Sequence, residues 1–140
     1  MKINSVIIFI NRIKNKLKNY LGRQPVFYQS PNKFAPKLHL DIKENYIKVN
    51  GYQKYLIYKN KITPDRYSYD LMKKYNLLEK VFGEDLSGKT YLDLGANSGF
   101  FTFYAHQKGA ECIAIDMDSN YTNILNKISS YFDYNIIIDK

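Results

Sequence analysis

Two hydrophobic periods divide the chain. From position 90 onward, short apolar runs alternate with stretches whose apolar residues recur every three or four positions. Residues 91–94 predict a short buried strand, 98–108 a helix closed by Gly109, and 112–115 a second strand. Residues 119–131 predict a helix with Ile124, Leu125 and Ile128 facing inward, and 136–138 a third strand. Strands alternating with helices of this length make parallel β-α-β units with right-handed crossovers. The fold class expected is α/β, Rossmann-like, with one β-α-β-α-β half in residues 90–140.

Before position 90 the period is two. The stretch NYIKVNGYQKYLIYKN, residues 45–60, has alternating runs on either side of Asn50-Gly51. That dipeptide is a strong signal for a two-residue type I′ turn, whose central residues both need positive φ, so a β-hairpin is expected. Thr63-Pro64 then breaks the chain and opens a helix over 65–81, with an apolar face through Tyr67, Leu71, Leu78 and Val81. Gly83 stops it, and Leu86-Ser87-Gly88 forms the loop out. At the front, Ile10, Ile13, Leu17 and Leu21 keep helical spacing with Lys14, Lys16 and Lys18 between them, so residues 3–21 predict a basic amphipathic helix. Gly22 ends it, and Pro25, Pro31 and Pro36 mark a linker. Three segments result: 1–44, a basic helix and linker; 45–89, an accessory hairpin and helix; and 90–140, part of a ligand-binding α/β domain.

Charge follows the same division. Residues 1–70 hold 14 Lys and Arg against 4 Asp and Glu, whereas 71–140 hold 7 against 9. The first acidic residue is Asp41, so the leading arm would attract nucleic acid or an anionic membrane surface. Lys nevertheless makes up 18 of the 21 basic residues beside abundant Asn, Ile and Tyr, a bias that an AT-rich genome produces with no such partner. The apolar run 6–10 is too short to span a bilayer and no small-residue cleavage site follows it, so no transmembrane segment is expected. Cys112 stands alone on an apolar strand, which fits a small buried side chain in a reducing cytoplasm and provides neither a disulfide nor metal-ligand spacing.

The chemistry concentrates in TYLDLGANSGFFTFYAHQKGAECIAIDMD, residues 90–118. After a parallel strand the chain must turn sharply into its helix, and a ligand lying across that turn needs backbone uncovered by side chains, which Gly95 and Gly99 provide. The second strand ends on Asp116, where a carboxylate can accept both hydroxyls of a ribose. A dinucleotide fingerprint would need G-x-G-x-x-G, but Asn97 holds the middle position and Phe100 the last. Asp93, two residues before the first glycine, suits a cationic amino acid moiety better than a phosphate. A ligand with an ammonium and a sulfonium at one end and a ribose at the other meets these demands, and S-adenosyl-L-methionine is that ligand. Asp118 precedes a helix and is read as its N-cap. His106 sits near a helix C-terminus, and Glu84 and Asp85 are solvated loop carboxylates. The tyrosines between 46 and 58 are read as packing in a half-buried hairpin rather than as stacking platforms for bases.

The pattern D-x-G-x-x-x-G followed by a strand ending in Asp resembles the cofactor half of class I S-adenosylmethionine-dependent methyltransferases. The order Ile62-Thr63-Pro64, a helix, Leu86-Ser87-Gly88-Lys89, then LDLGANSGFFTFYAHQKGAECIAID is similar to the family of the tRNA wobble-uridine (5-carboxymethoxyuridine) methyltransferase and its relatives, over residues 52–118. The chain departs from that pattern in lacking Trp altogether and in carrying Asp65 after the proline. The resemblance implies that Asp93, Gly95, Ala96, Asn97 and Gly99 surround the methionine part of the cofactor, that Asp116 holds the ribose, and that Met117 presses on the adenine. It admits a carboxylated form, carboxy-S-adenosyl-L-methionine, and an acceptor that is a tRNA, a sugar or a small molecule. It further implies a sheet of order 3-2-1-4-5-7-6, of which this chain would supply strands 1 to 3. The expected protein is therefore the N-terminal portion of a methyltransferase, with no assignable catalytic residue, inactive as the isolated 140-residue chain and binding the cofactor weakly or not at all by itself. The alternatives are a non-catalytic remnant, a subunit completed by a partner chain, and a basic RNA-binding module.

Overall fold

The computed structural model describes residues 38–140, so the expected helix at 3–21 and the proline-marked linker lie outside the described residues. An antiparallel sheet comes first, with β1 (His39–Lys43), β2 (Tyr46–Asn50), β3 (Tyr55–Tyr58) and β4 (Lys61–Pro64) in that spatial order. Helix α1 (Tyr69–Phe82) leads into a parallel sheet of β5 (Thr90–Leu94), β6 (Glu111–Ile115) and β7 (Ile136–Asp139). Its crossovers are α2 (Phe100–Gln107) and α3 (Ser119–Phe132). The α/β, Rossmann-like reading of 90–140 holds, with every expected strand and helix within two residues of its place.

The expected hairpin is corrected in register and in size. A two-residue turn at Asn50-Gly51 would set Ile47 opposite Lys54 and bring a charged side chain to the apolar face. Instead Ile47 faces Ile57 and Val49 faces Tyr55, and all four are fully buried. Asn50 therefore stays in β2, and residues 51–54 form a longer loop. The turn with two positive φ values falls at Lys59-Asn60 (φ 45° and 60°), joining β3 to β4. β1 pairs with β2 from a stretch expected to be linker, with Leu40 opposite Val49.

Pro64 also acts differently from the expectation. It closes β4, an edge strand where a missing N–H costs nothing. Residues 65–68 then turn, with the Asp65 carboxylate accepting from the Tyr67 N–H at 2.9 Å, and α1 starts at Tyr69 rather than at 65. Tyr67 and Val81, expected on the inward face, are exposed; Leu71 is buried, and Tyr75 and Leu78 pack beside it.

One apolar cluster unites the two sheets. Ile47, Val49, Tyr55, Ile57 and Ile62 meet Phe100, Phe103 and Tyr104 of α2 and Ile124, Leu125 and Ile128 of α3. The Phe100 ring makes edge contacts with Tyr55 and Tyr75 at centroid distances of 5.6 and 6.0 Å, geometry that aromatic quadrupoles favour. Among the described residues no helix is long and apolar enough to cross a membrane.

Gly99 shows how tightly α2 and α3 approach. A Cβ built there would stand 2.2 Å from Leu125 Cδ2 and 2.8 Å from Phe103 Cε2, whereas one at Gly95 would meet nothing within 4 Å. Both glycines have positive φ, 88° and 75°. Gly99→Ala adds overpacking to backbone strain and is expected to cost about 3 kcal/mol or more. Gly95→Ala carries the strain alone and should cost about 1 kcal/mol. Urea titrations followed by circular dichroism read the difference.

Candidate functional site

The site is built where β5 and β6 end. The Gly95 and Ala96 N–H groups both donate to the Ile115 carbonyl, at 2.8 and 3.1 Å, so the turn after β5 is folded onto the end of β6. Asn97 then takes a left-handed conformation (φ 52°), and its Nδ2 donates back to the Gly95 carbonyl at 2.8 Å. Asparagine tolerates this region because its short amide bonds locally.

Asp116 draws the two strand ends together. Its Oδ2 accepts the Asn97 N–H at 2.7 Å and its Oδ1 accepts the Asp118 N–H at 2.9 Å. The carboxylate is nearly buried, yet each oxygen keeps a second lone-pair direction for another donor. Asp118 is the N-cap of α3, accepting from the Asn120 N–H at 2.8 Å. Met117 lies between these two and is 52% exposed, so its thioether is available to a ligand.

Asp93 sits inside the same site. Its Oδ2 accepts the Thr102 hydroxyl at 2.7 Å. Burial pushes its carboxyl above the usual range, the Thr102 bonds pull it back, and the charge of Asp116 raises it again. Neither Asp93 nor Asp116 belongs to an ion pair among the described residues. The strand ends thus carry two mutually repelling carboxylates beside the open backbone of Gly95, an arrangement complementary to a cationic ligand.

Of the residues singled out in the sequence, Gly95, Ala96, Asn97, Asp116 and Met117 gather around this turn, with Asp93 behind it. Ala96 is fully buried and offers its backbone alone. Gly99 is the N-cap of α2, and its missing side chain serves the contact with Leu125 described above. His106 packs on the Tyr134 ring at a centroid distance of 4.7 Å. Glu84 and Asp85 lie in the exposed α1–β5 loop, where Asp85 accepts from the Ser87 N–H at 2.8 Å. Among the described residues no group of three His, Cys, Asp or Glu could hold a metal ion.

Gln53 of the β2–β3 loop and Tyr55 of β3 position the turn, and neither was singled out in the sequence. Gln53 Oε1 accepts the Phe100 N–H at 3.1 Å, capping α2 from outside, and the Ser98 hydroxyl reaches the same oxygen at 3.4 Å. The Tyr55 hydroxyl donates to the Ser98 carbonyl. No short-range spacing betrays either role, because the partners lie 43 to 47 residues apart.

No protein-family model matches this chain, and no curated protein matches it. Similar solved structures do exist. The PH0226 protein from Pyrococcus horikoshii OT3 is 18% identical with a TM-score of 0.44, over 54% of this chain and 33% of that one. The T. Thermophilus 16S rRNA N2 G1207 methyltransferase RsmC, in complex with AdoMet and guanosine, is 20% identical with a TM-score of 0.45, over 77% of this chain and 28% of that one. The Pyrococcus abyssi tRNA (uracil-54, C5)-methyltransferase, in complex with S-adenosyl-L-homocysteine, is 17% identical with a TM-score of 0.43, over 74% and 24%. This chain spans a third or less of the length of each.

Two measurements test the electrostatics. Because folding raises the Asp93 pKa, the stability linked to its protonated form is present at low pH and is lost as pH rises through the folded value. Asp93→Asn should therefore gain stability relative to the parent as pH rises above the ordinary carboxylate range, read from urea midpoints. Cys112, with its thiol pushed up to about 12 by burial and then by the Asp93 charge, should resist alkylation. Iodoacetamide at about pH 8 should label it at least 100-fold more slowly in the native chain than in urea, as followed by mass spectrometry.

Proposed function

We propose that residues 90–140 bind S-adenosyl-L-methionine and that the chain carries the donor-binding part of a methyltransferase. The observation that carries this reading is the pairing of an unobstructed Gly95 with two carboxylates, Asp93 and Asp116, that stand at adjacent strand ends and belong to no ion pair among the described residues. The donor set fits the group: anions for an ammonium and a sulfonium, a strand-end carboxylate for a ribose, and an exposed thioether for an adenine. When bound, the cofactor supplies an electrophilic methyl carbon to an acceptor oxygen or nitrogen.

The chain's own part is to hold and orient. Asp93 and the backbone of Gly95, Ala96 and Asn97 would take the methionine end, with Gly99 keeping α2 close behind them. Asp116 would accept the ribose hydroxyls on its remaining lone pairs, and Met117 would cover one face of the adenine. Alignment of donor and acceptor, with charge placed where the sulfonium lies, accounts for most of what a protein contributes to such a transfer. The same two carboxylates favour the plain cofactor over its carboxylated form, whose extra anion they would repel.

The finer kinship with the tRNA wobble-uridine methyltransferases rests on Ile62-Thr63-Pro64 and Leu86-Ser87-Gly88-Lys89, which here form strand β4 and the approach to β5. Among the described residues β5 pairs on one side only, with β6, so the ligand's second wall would come from a segment or partner chain that pairs with its other edge.

Binding is tested with S-adenosylhomocysteine titrated calorimetrically into the full chain. Only weak binding is expected of a half-site that lacks its second wall, and it should weaken further as pH falls through the raised Asp93 value, because the protonated acid no longer attracts an ammonium. Met117→Ala should weaken it about 5-fold while shifting stability by less than about 0.5 kcal/mol, since the side chain is exposed. Binding indifferent both to Met117 and to pH would sink the reading. Asp116→Asn is the poorer probe, since an amide turned toward the Asn97 N–H would unsettle the turn itself by about 1–3 kcal/mol.

A further inference from the structure

A cleft of about 360 Å³ opens beside the strand-end site, between the β2–β3 loop, the leading end of α1 and α2. Its size falls within the range of small-molecule pockets, about 300–1,000 Å³. Tyr52, Gln53, Tyr67, Tyr69, Lys74 and Phe101 line it. Tyr52, Tyr67 and Tyr69 are 65%, 78% and 69% exposed, so their rings are left to water, whereas Tyr55 and Tyr104 are buried. Cations already hold two of these rings: the Arg66 guanidinium lies 4.7 Å from the centre of Tyr67, and the Lys73 ammonium 4.3 Å from that of Tyr69.

Around the cleft Arg66, Lys73 and Lys74 outnumber Asp65 and Asp70. Lys74 belongs to no ion pair among the described residues. Asp65 is engaged by the Tyr67 N–H, and Asp70, which also lines the cleft, sits in the first turn of α1, where the helix dipole offsets its charge. One side chain links the cleft to the turn after β5. Gln53 faces the cleft while capping α2 at Phe100, and Tyr121 stands within electrostatic reach of both Tyr52 and Asp116.

We propose that this cleft binds an aromatic ring bearing an anionic group and presents it as the methyl acceptor. The acceptor role rests on the methyltransferase reading; the binding itself does not. The exposed phenol rings give the guest ring its stacking surface, Lys74 takes the anionic substituent, and Gln53 ties the guest's position to the turn that would hold the donor. A nucleoside monophosphate and a small phenolic acid share this chemistry.

The test uses the full chain with uridine 5′-monophosphate, uridine and 4-hydroxybenzoate as probes, followed by saturation-transfer NMR and calorimetry. Saturable binding of at least one anionic probe is expected, and which one binds tells the nucleotide source from the phenolic one. Tyr69→Ala should weaken that binding about 10-fold through lost stacking. Lys74→Ala should weaken the anionic probe about 5-fold while leaving uridine unchanged. Tyr58→Ala, exposed but away from the cleft, is the control and should change nothing. Failure of both anionic probes to bind, uridine binding as tightly as its monophosphate, or an equal loss in the Tyr58 variant would overturn the proposal. S-adenosylhomocysteine titrated into the same variants and into Met117→Ala separates the two ideas: probe binding beside cofactor binding that is indifferent both to Met117 and to pH sinks the donor site and leaves the cleft, and the reverse result does the opposite.

Discussion

A single carboxylate sets the geometry on which the strand-end site depends. Asp116 takes one backbone N–H from the turn after β5 and another from the turn after β6, at 2.7 and 2.9 Å. Charge-assisted bonds of this kind are about twice as strong as neutral ones, and here each secures a loop that would otherwise leave N–H groups facing a crevice. Both turns are thereby referred to one point. A ligand that meets Asp116 meets Gly95, Asn97 and Met117 in fixed relation to it, with little ordering left to be done when it arrives.

The two glycines that bracket the turn divide the work between them. At Gly95 a side chain would project into open space, so the absence of one exposes backbone; at Gly99 a side chain would strike Leu125, so the absence of one lets α2 and α3 close. An outward surface and an inward contact are thus set four residues apart. Behind them the Thr102 hydroxyl keeps Asp93 hydrogen-bonded in a place where burial and Asp116 both oppose its charge. The electrostatic stress that results is the kind commonly found where a protein is shaped to meet a charged partner.

Much of this was legible from local pattern. The strands and helices after position 90 announce themselves by their periods, and Asp93, Gly95, Asn97 and Asp116 by their places relative to strand ends. What failed locally failed for one reason. Asn50-Gly51 has the chemistry of a tight turn, but burying Ile47 against Ile57 outweighs it, and the true two-residue turn uses Lys59-Asn60, which no glycine signals. Pro64 looks like a helix opener and instead ends an edge strand, displacing α1 by four residues. Gln53 and Tyr55 were invisible because their partners lie across the whole of α1 and β5. Short-range preference reads elements well, and long-range burial decides register.

The reach of those two side chains bears on the order in which the molecule assembles. The turn after β5 is closed by residues 43 and 47 positions earlier, contacts that require a long loop to be drawn in before they return any stabilisation. As the chain leaves the ribosome, the antiparallel strands have their neighbours at hand, whereas the capped end of α2 must wait for the parallel sheet to form against them. The turn after β5 is thus among the last parts of this fold to be finished. Once finished, it cannot loosen by itself without also releasing Gln53 and the core residue Tyr55, which ties the rigidity of this turn to the stability of the fold around it.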